Sequence, residues 1–135
     1  MHILIIDGQG GKLGAQLVKE IKTAFSEAEI TAIGTNALAT AAMLKAGAEK
    51  GATGENPVVV AAKKADIIVG PIGIVIADSM LGEVTEKMAL AVSRADATRI
   101  LIPVNRCDNL VAGVNGQSTA AVLSDAVEKI RALLA

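Results

Sequence analysis

The sequence is nearly without aromatic residues: it has no Trp, no Tyr and a single Phe, Phe25. That excludes the grip on single-stranded nucleic acid in which bases stack on aromatic side chains. One Cys, Cys107, excludes an internal disulfide framework. One His, His2, excludes a His-cluster metal site and a Cys/His zinc module. Neither sign of charge is in excess, since 13 Lys and Arg stand against 14 Asp and Glu for a formal net charge of −1. A bulk electrostatic hold on nucleic acid or on an anionic membrane is excluded with it. The longest apolar stretch, 67–81, is broken by Gly70-Pro71, Gly73 and Asp78, and falls short of the ~20 residues that span a bilayer. The start, Met1-His2-Ile3-Leu4-Ile5-Ile6-Asp7, lacks a cationic leader, and its apolar run is shorter than the ~7–15 residues of a signal peptide. Neither end carries a lipidation motif. The expectation is a cytoplasmic protein with no membrane and no nucleic-acid partner.

What is present is apolar. Of 135 residues, 52% are hydrophobic and 20% charged, enough for one domain over residues 1–135 with a real core. Strand and helix patterns alternate. Residues 2–6 read as a buried strand, and 12–25 as a helix with Leu13, Leu17, Val18, Ile21 and Phe25 on one face. Residues 29–33 read as a second strand. Asn36 is placed to cap a helix to about residue 46, with Leu38, Ala42 and Lys45 along it and Gly47 and Gly51 at its end. Asn56 and Pro57 open a short helix through Lys64. Asp66-Ile67-Ile68-Val69 forms a third strand within 65–70, while 72–81 fits strand or helix. Thr85 caps a helix to about Arg94, with Met88, Ala91, Val92 and Ala95 inward. Residues 99–104 and 110–114 read as fourth and fifth strands. Ser118 or Thr119 caps a last helix with the stripe Leu123, Val127, Ile130 and Leu134.

Strands apolar on both faces, alternating with helices, imply a parallel sheet covered on both sides. The expected fold is therefore a three-layer α/β/α, Rossmann-like domain, its doubly wound, mainly parallel sheet having about five strands. Ligands in such folds sit at the carboxyl ends of the strands, where strand order reverses.

The first strand leads into Asp7-Gly8-Gln9-Gly10-Gly11-Lys12-Leu13-Gly14. Gly8, Gly11 and Gly14 fit one glycine spacing and Gly8, Gly10 and Gly14 another. The common Gly-x-Gly-x-x-Gly fails because position 13 is Leu, and a Walker-type loop fails at Ile6 and Leu13. A glycine loop between strand and helix suits a phosphate, whose charge the helix N-terminus and Lys12 would favour. The same loop also serves simply to pack helix on sheet. A dinucleotide such as NAD usually meets an acid at the end of the second strand. Here that end is Ile33-Gly34-Thr35-Asn36, with no acid and no Arg for an NADP phosphate. Thr35 and Asn36 offer hydrogen bonds to a ribose or phosphate, and Asn36 equally offers a helix cap.

Gly70-Pro71-Ile72-Gly73 ends the third strand with bare backbone and no titratable group, Asp78 and Ser79 following. Asn105-Arg106-Cys107-Asp108 is the most polar strand end, where Arg106 could clamp an anion. Cys107 has no His beside it and reads as an inert thiol. Asp7, Lys12, Ser79, Arg106 and Cys107 are the residues with catalytic chemistry, but no pair has the spacing of a nucleophile and its base. Catalysis stays open on the sequence.

Five segments together carry a family resemblance: Ile6-Asp7-Gly8-Gln9-Gly10-Gly11, Gly34-Thr35-Asn36-Ala37-Leu38-Ala39-Thr40, Gly51-Ala52-Thr53-Gly54-Glu55-Asn56, Gly70-Pro71-Ile72-Gly73-Ile74 and Ile102-Pro103-Val104-Asn105-Arg106-Cys107. Nearly the whole chain resembles a small family of bacterial proteins grouped as domain of unknown function 3842. The resemblance implies a bacterial cytoplasmic protein of this length and supplies no activity, substrate or catalytic residue. The glycine loop and Asp66-Ile67-Ile68-Val69 also resemble, more distantly, Rossmann-type cofactor domains.

Two functions follow as expectations. One is a binding domain for a phosphate-bearing small molecule, a nucleotide or NAD(P), held by Asp7, Gly8, Gln9, Gly10, Gly11, Lys12, Gly14, Thr35, Asn36, Gly70, Pro71, Gly73, Asn105 and Arg106. Gly11→Val is then expected to leave the fold intact and abolish binding. The other is a self-associating interaction protein, a homodimer or larger. Its motive is a mean hydropathy of +0.51, more apolar surface than one small core hides.

Overall fold

A computed structural model describes residues 1–104 and 108–135 of the chain. Within them, strands and helices alternate as β1 (His2–Asp7), α1 (Lys12–Ala24), β2 (Glu29–Gly34), α2 (Ala37–Ala46), β3 (Lys50–Thr53), α3 (Glu55–Lys64), β4 (Ile67–Pro71), α4 (Glu86–Arg94), β5 (Thr98–Ile102) and α5 (Thr119–Leu134). The strands form one wholly parallel sheet in the order β3-β2-β1-β4-β5. The chain winds outward from β1 to β3, then crosses back to β4 on the other side of β1. The switch point lies between the carboxyl ends of β1 and β4, as in dinucleotide-binding folds.

Alternation along the strands builds two cores. Ile3 and Ile5 of β1 pack with Leu17, Val18 and Ile21 of α1, Met43 of α2 and Leu123, Ala126 and Ile130 of α5. Leu4 and Ile6 face the other way, onto Val58 and Ala62 of α3 and Met88, Ala89 and Val92 of α4. Successive strand side chains point to opposite faces, so a strand covered on both sides must be apolar throughout. The result is the expected three-layer, Rossmann-like architecture.

Several local expectations change. Residues 110–114 form no strand; the fifth strand is β3, which holds its place by pairing with Thr31 through Gly34 of β2. Gly51 therefore lies inside a strand, with the Leu44 side chain over it, rather than ending a helix. Segment 72–81 is neither strand nor α-helix: a 3-10 turn, Ile72–Val75, leads into turns. Gly54, not Asn56, is the N-cap of α3. The buried face of α2 is Ala39, Thr40 and Met43, whereas Leu38 is exposed. Leu134 lies off the buried stripe of α5. The caps at Asn36, Thr85 and Ser118 are as expected, each side chain accepting an N–H three residues on.

Two substitutions check this core. Ile5→Ala, fully buried in the central strand, is expected to lower unfolding free energy in urea by about 2–5 kcal/mol. Leu110→Ala, at 94% exposed, is expected to change it by no more than about 0.5 kcal/mol.

Candidate functional site

The turn from β1 into α1 is held by Asp7. Its buried carboxylate accepts the Gly8 N–H on Oδ1 (2.8 Å) and the Gly14 N–H on Oδ2 (2.7 Å). Helix α1 has no side-chain cap of its own, its N-cap being Gly11 at φ 73°. Asp7 supplies the missing acceptor from the strand end, satisfying an N–H of the first helical turn. Burial pushes the Asp7 pKa up, the N–H groups of Gly14 and Gly8 pull it down, and the nearby Glu83 charge pushes it up. The net result lies above the ordinary 3.8.

Most of the candidate glycines are required by packing. A Cβ on Gly11 would lie 2.6 Å from the Ala39 Cα, and one on Gly14 2.6 Å from the Met43 Sδ. A Cβ on Gly70 would meet the Ile6 carbonyl oxygen at 2.4 Å, and one on Gly73 the Ser79 Oγ at 3.0 Å. Gly11→Val therefore strikes backbone at a left-handed residue and cannot serve as a clean probe of binding. Gly10 differs: a Cβ there has nothing within 4 Å. The N–H groups of Gly10, Lys12 and Leu13 have no acceptor among the described residues. Lys12 is exposed at the start of α1.

The end of β2 meets a carboxylate that its own sequence lacks. Glu83 reaches over from the segment after β4, and its Oε1 accepts three hydrogen bonds: from the Thr35 hydroxyl (2.7 Å), the Gln9 N–H (2.8 Å) and the Asn36 Nδ2 (2.8 Å). Asn36 does double duty, since its Oδ1 caps α2 through the Ala39 N–H while its Nδ2 also donates to the Gln9 carbonyl. Desolvation raises the Glu83 pKa, but the hydrogen bonds from Thr35, Gln9 and Asn36 together outweigh it. The pKa lies below the ordinary 4.5. Met80 comes with Glu83: a Cβ on Gly8 would lie 2.5 Å from Thr35 Oγ1, 2.7 Å from Met80 Sδ and 3.0 Å from Glu83 Oε1. The carboxyl ends of β1 and β2 are thus covered by two side chains of the segment 76–84.

That segment is tightly bent. Asp78, Met80, Leu81 and Gly82 all have positive φ, at 67°, 56°, 57° and 87°. The conformation costs a non-glycine residue about 1–2 kcal/mol. Leu81, at its tip, is 98% exposed. Ser79 is buried and donates its hydroxyl to the Gly73 carbonyl, a structural bond.

The structure thus gathers Asp7, Gly8, Gln9, Gly10, Gly11, Lys12, Gly14, Thr35 and Asn36 around one strand end. Gly70, Pro71 and Gly73 lie at the end of β4, all buried. Asn105, Arg106 and Cys107 lie outside the described residues. Glu83 and Met80 had no signal in the sequence, because Glu83 stands 48 positions from Thr35 and only the strand order brings them together. A groove of about 730 Å³ lies elsewhere, between β5 and α5, lined by Ile100, Ile102, Val122 and Ala126 among others. It is largely apolar and holds none of the glycine loop.

The chain belongs to the family described as domain of unknown function DUF3842, which it matches over residues 2–135. No curated protein matches it. Among solved structures, a dodecameric FMN-dependent Ubix-like decarboxylase from Escherichia coli O157:H7 is similar at 11% identity and a TM-score of 0.47. The match covers 99% of this chain and 94% of that one. Among the described residues, no helix is long and apolar enough to cross a membrane.

Two predictions follow from the two carboxylates. Asp7→Ala leaves two buried N–H groups without acceptors and is expected to cost about 1–3 kcal/mol, seen as a lower midpoint in urea. Glu83 is more acidic folded than unfolded, so its contribution is complete above 4.5 and is lost as pH falls through its folded pKa. Asp7 has the opposite sign, since the folded state favours its protonated form. Glu83→Gln is therefore expected to flatten the fall in Tm between about pH 5 and pH 3, measured by thermal denaturation across that range.

Proposed function

We propose that this chain, as one α/β domain over residues 1–135, binds a phosphate-bearing small molecule at the carboxyl edge of its sheet. A nucleotide or dinucleotide, NAD(P) included, is the ligand class. The observation that carries the reading is the convergence of the Gln9 N–H, the Thr35 hydroxyl and the Asn36 amide on one oxyanion at the carboxyl ends of β1 and β2. Three donors aimed at one carboxylate oxygen also suit a phosphate oxygen. The N–H groups of Gly10, Lys12 and Leu13, which have no acceptor among the described residues, extend the donor surface, and the α1 N-terminus favours negative charge there. Gly10 is where a ligand can come closest to the backbone without meeting protein.

A thermal-shift series with NAD, NADP, flavins, adenine and guanine nucleotides, coenzyme A, sugar phosphates and inorganic phosphate tests the proposal. A ligand at about 100 times its Kd adds about 2.7 kcal/mol, several degrees in Tm. Gly10→Asp, which has room for its side chain, is expected to keep the fold and remove the shift. The absence of any shift, or a shift that survives Gly10→Asp, would overturn the assignment.

A second reading, self-association in the cytoplasm as a homodimer or larger assembly, is favoured by β5. It is an edge strand flanked by the apolar groove against α5, with Leu110, Leu133 and Leu134 exposed. Light scattering at micromolar concentration is expected to give a mass of at least two chains, and a monomer would remove this reading.

A further inference from the structure

We infer that Glu83 is an internal stand-in for the ligand's anionic group, and that the tip 80–83 must withdraw before a phosphate can enter the crevice. This rests on the phosphate-site reading above and adds how that site is controlled. The Gln9, Thr35 and Asn36 donors all end on Glu83 Oε1, while its Oε2 has no partner among the described residues. The carboxylate therefore occupies the oxyanion position itself, rather than lying beside it. Met80 adds to the block, its Sδ lying over Gly8 beside the Thr35 hydroxyl.

The segment is built to move as a unit. Its backbone hydrogen bonds close within it: Asp78 N–H to the Val84 carbonyl (2.7 Å), Val84 N–H to the Ser79 carbonyl (3.2 Å), Gly82 N–H to the Asp78 carbonyl (3.1 Å) and Glu83 N–H to the Met80 carbonyl (3.1 Å). Withdrawing the tip breaks none of these. It gives up the three bonds to Glu83, the bonds from Ser79 to the Gly73 and Ile76 carbonyls, and the packing of Met80 and Val84. Left-handed backbone at Asp78, Met80 and Leu81 is a conformation such residues hold only where something else fixes it. Here Glu83 is the latch, and the exposed Leu81 contributes no packing to hold the tip down.

A different role for Glu83 makes the opposite prediction. Were its carboxylate a holder of ribose hydroxyls, removing it would weaken nucleotide binding. Were it the latch, removing it would raise the open fraction and tighten binding, because apparent affinity scales with the competent population. Titration calorimetry with ADP and with inorganic phosphate, on wild type, Glu83→Gln and Glu83→Ala, separates the two. The expected result is binding tightened at least about tenfold in both variants, and lost again when Gly10→Asp is added. Glu83→Gln keeps the size of the side chain and guards against an unfolded Glu83→Ala. Wild-type binding that is unchanged or weakened in the variants overturns the latch and leaves the site standing. No binding by any of the three proteins overturns the latch and the site together.

Discussion

The Asp7 carboxylate is the point on which the candidate site depends. It ends the central strand and accepts N–H groups from both ends of the following turn, Gly8 and Gly14. Those two bonds fix where α1 begins relative to β1. They also fix the direction of the Gln9 N–H, and so the place where Glu83 sits. A buried carboxylate is costly unless its oxygens are satisfied. Asp7 meets that condition with backbone donors alone, which is why the turn can be rich in glycine and still hold one shape.

Two carboxylates on one side of a phosphate-type turn set an electrostatic conflict. Asp7 is the structural one and Glu83 the displaceable one, and Glu83's charge contributes to the raised pKa of Asp7. Exchanging Glu83 for a ligand phosphate replaces one negative charge by another, so the local field changes less than if the crevice were neutral. Lys12, exposed at the start of α1, is the lysine nearest in sequence to Asp7, and Lys87 the one nearest in sequence to Glu83. A separate, largely apolar groove lies between β5 and α5, away from the glycine loop.

The layered fold was legible in the sequence because its cause is local. Ile3-Leu4-Ile5-Ile6 and Ile67-Ile68-Val69 are apolar at every position, which only a strand covered on both faces needs. Asn36, Thr85 and Ser118 announced three helices by capping chemistry. Lys50-Gly51-Ala52-Thr53 announced nothing, since an edge strand of small and polar residues forms by pairing with β2 and not by its own preference. Leu110 and Val111 resembled a strand in composition, yet no strand among the described residues pairs with them. The site was legible on the β1 and β2 side, where the residues are contiguous in sequence. Its third wall, Met80 and Glu83, depends on where β4 is inserted in the sheet, which no spacing in the sequence encodes.

The glycine fingerprint divides accordingly. Gly8, Gly11, Gly14, Gly70 and Gly73 each face a neighbour closer than an added Cβ could tolerate without a shift. At Gly11 and Gly70 that neighbour is backbone, so these two would be glycine in this fold whether or not a ligand bound. The glycine spacing is thus evidence for a tight βα turn, and evidence for function only through what the turn leaves exposed. Gly10 has no such neighbour, and the Gln9 N–H beside it is spent on a side chain from another part of the chain. An open glycine at position 10 and an oxyanion position already taken by Glu83 point to a ligand more than the count of glycines does.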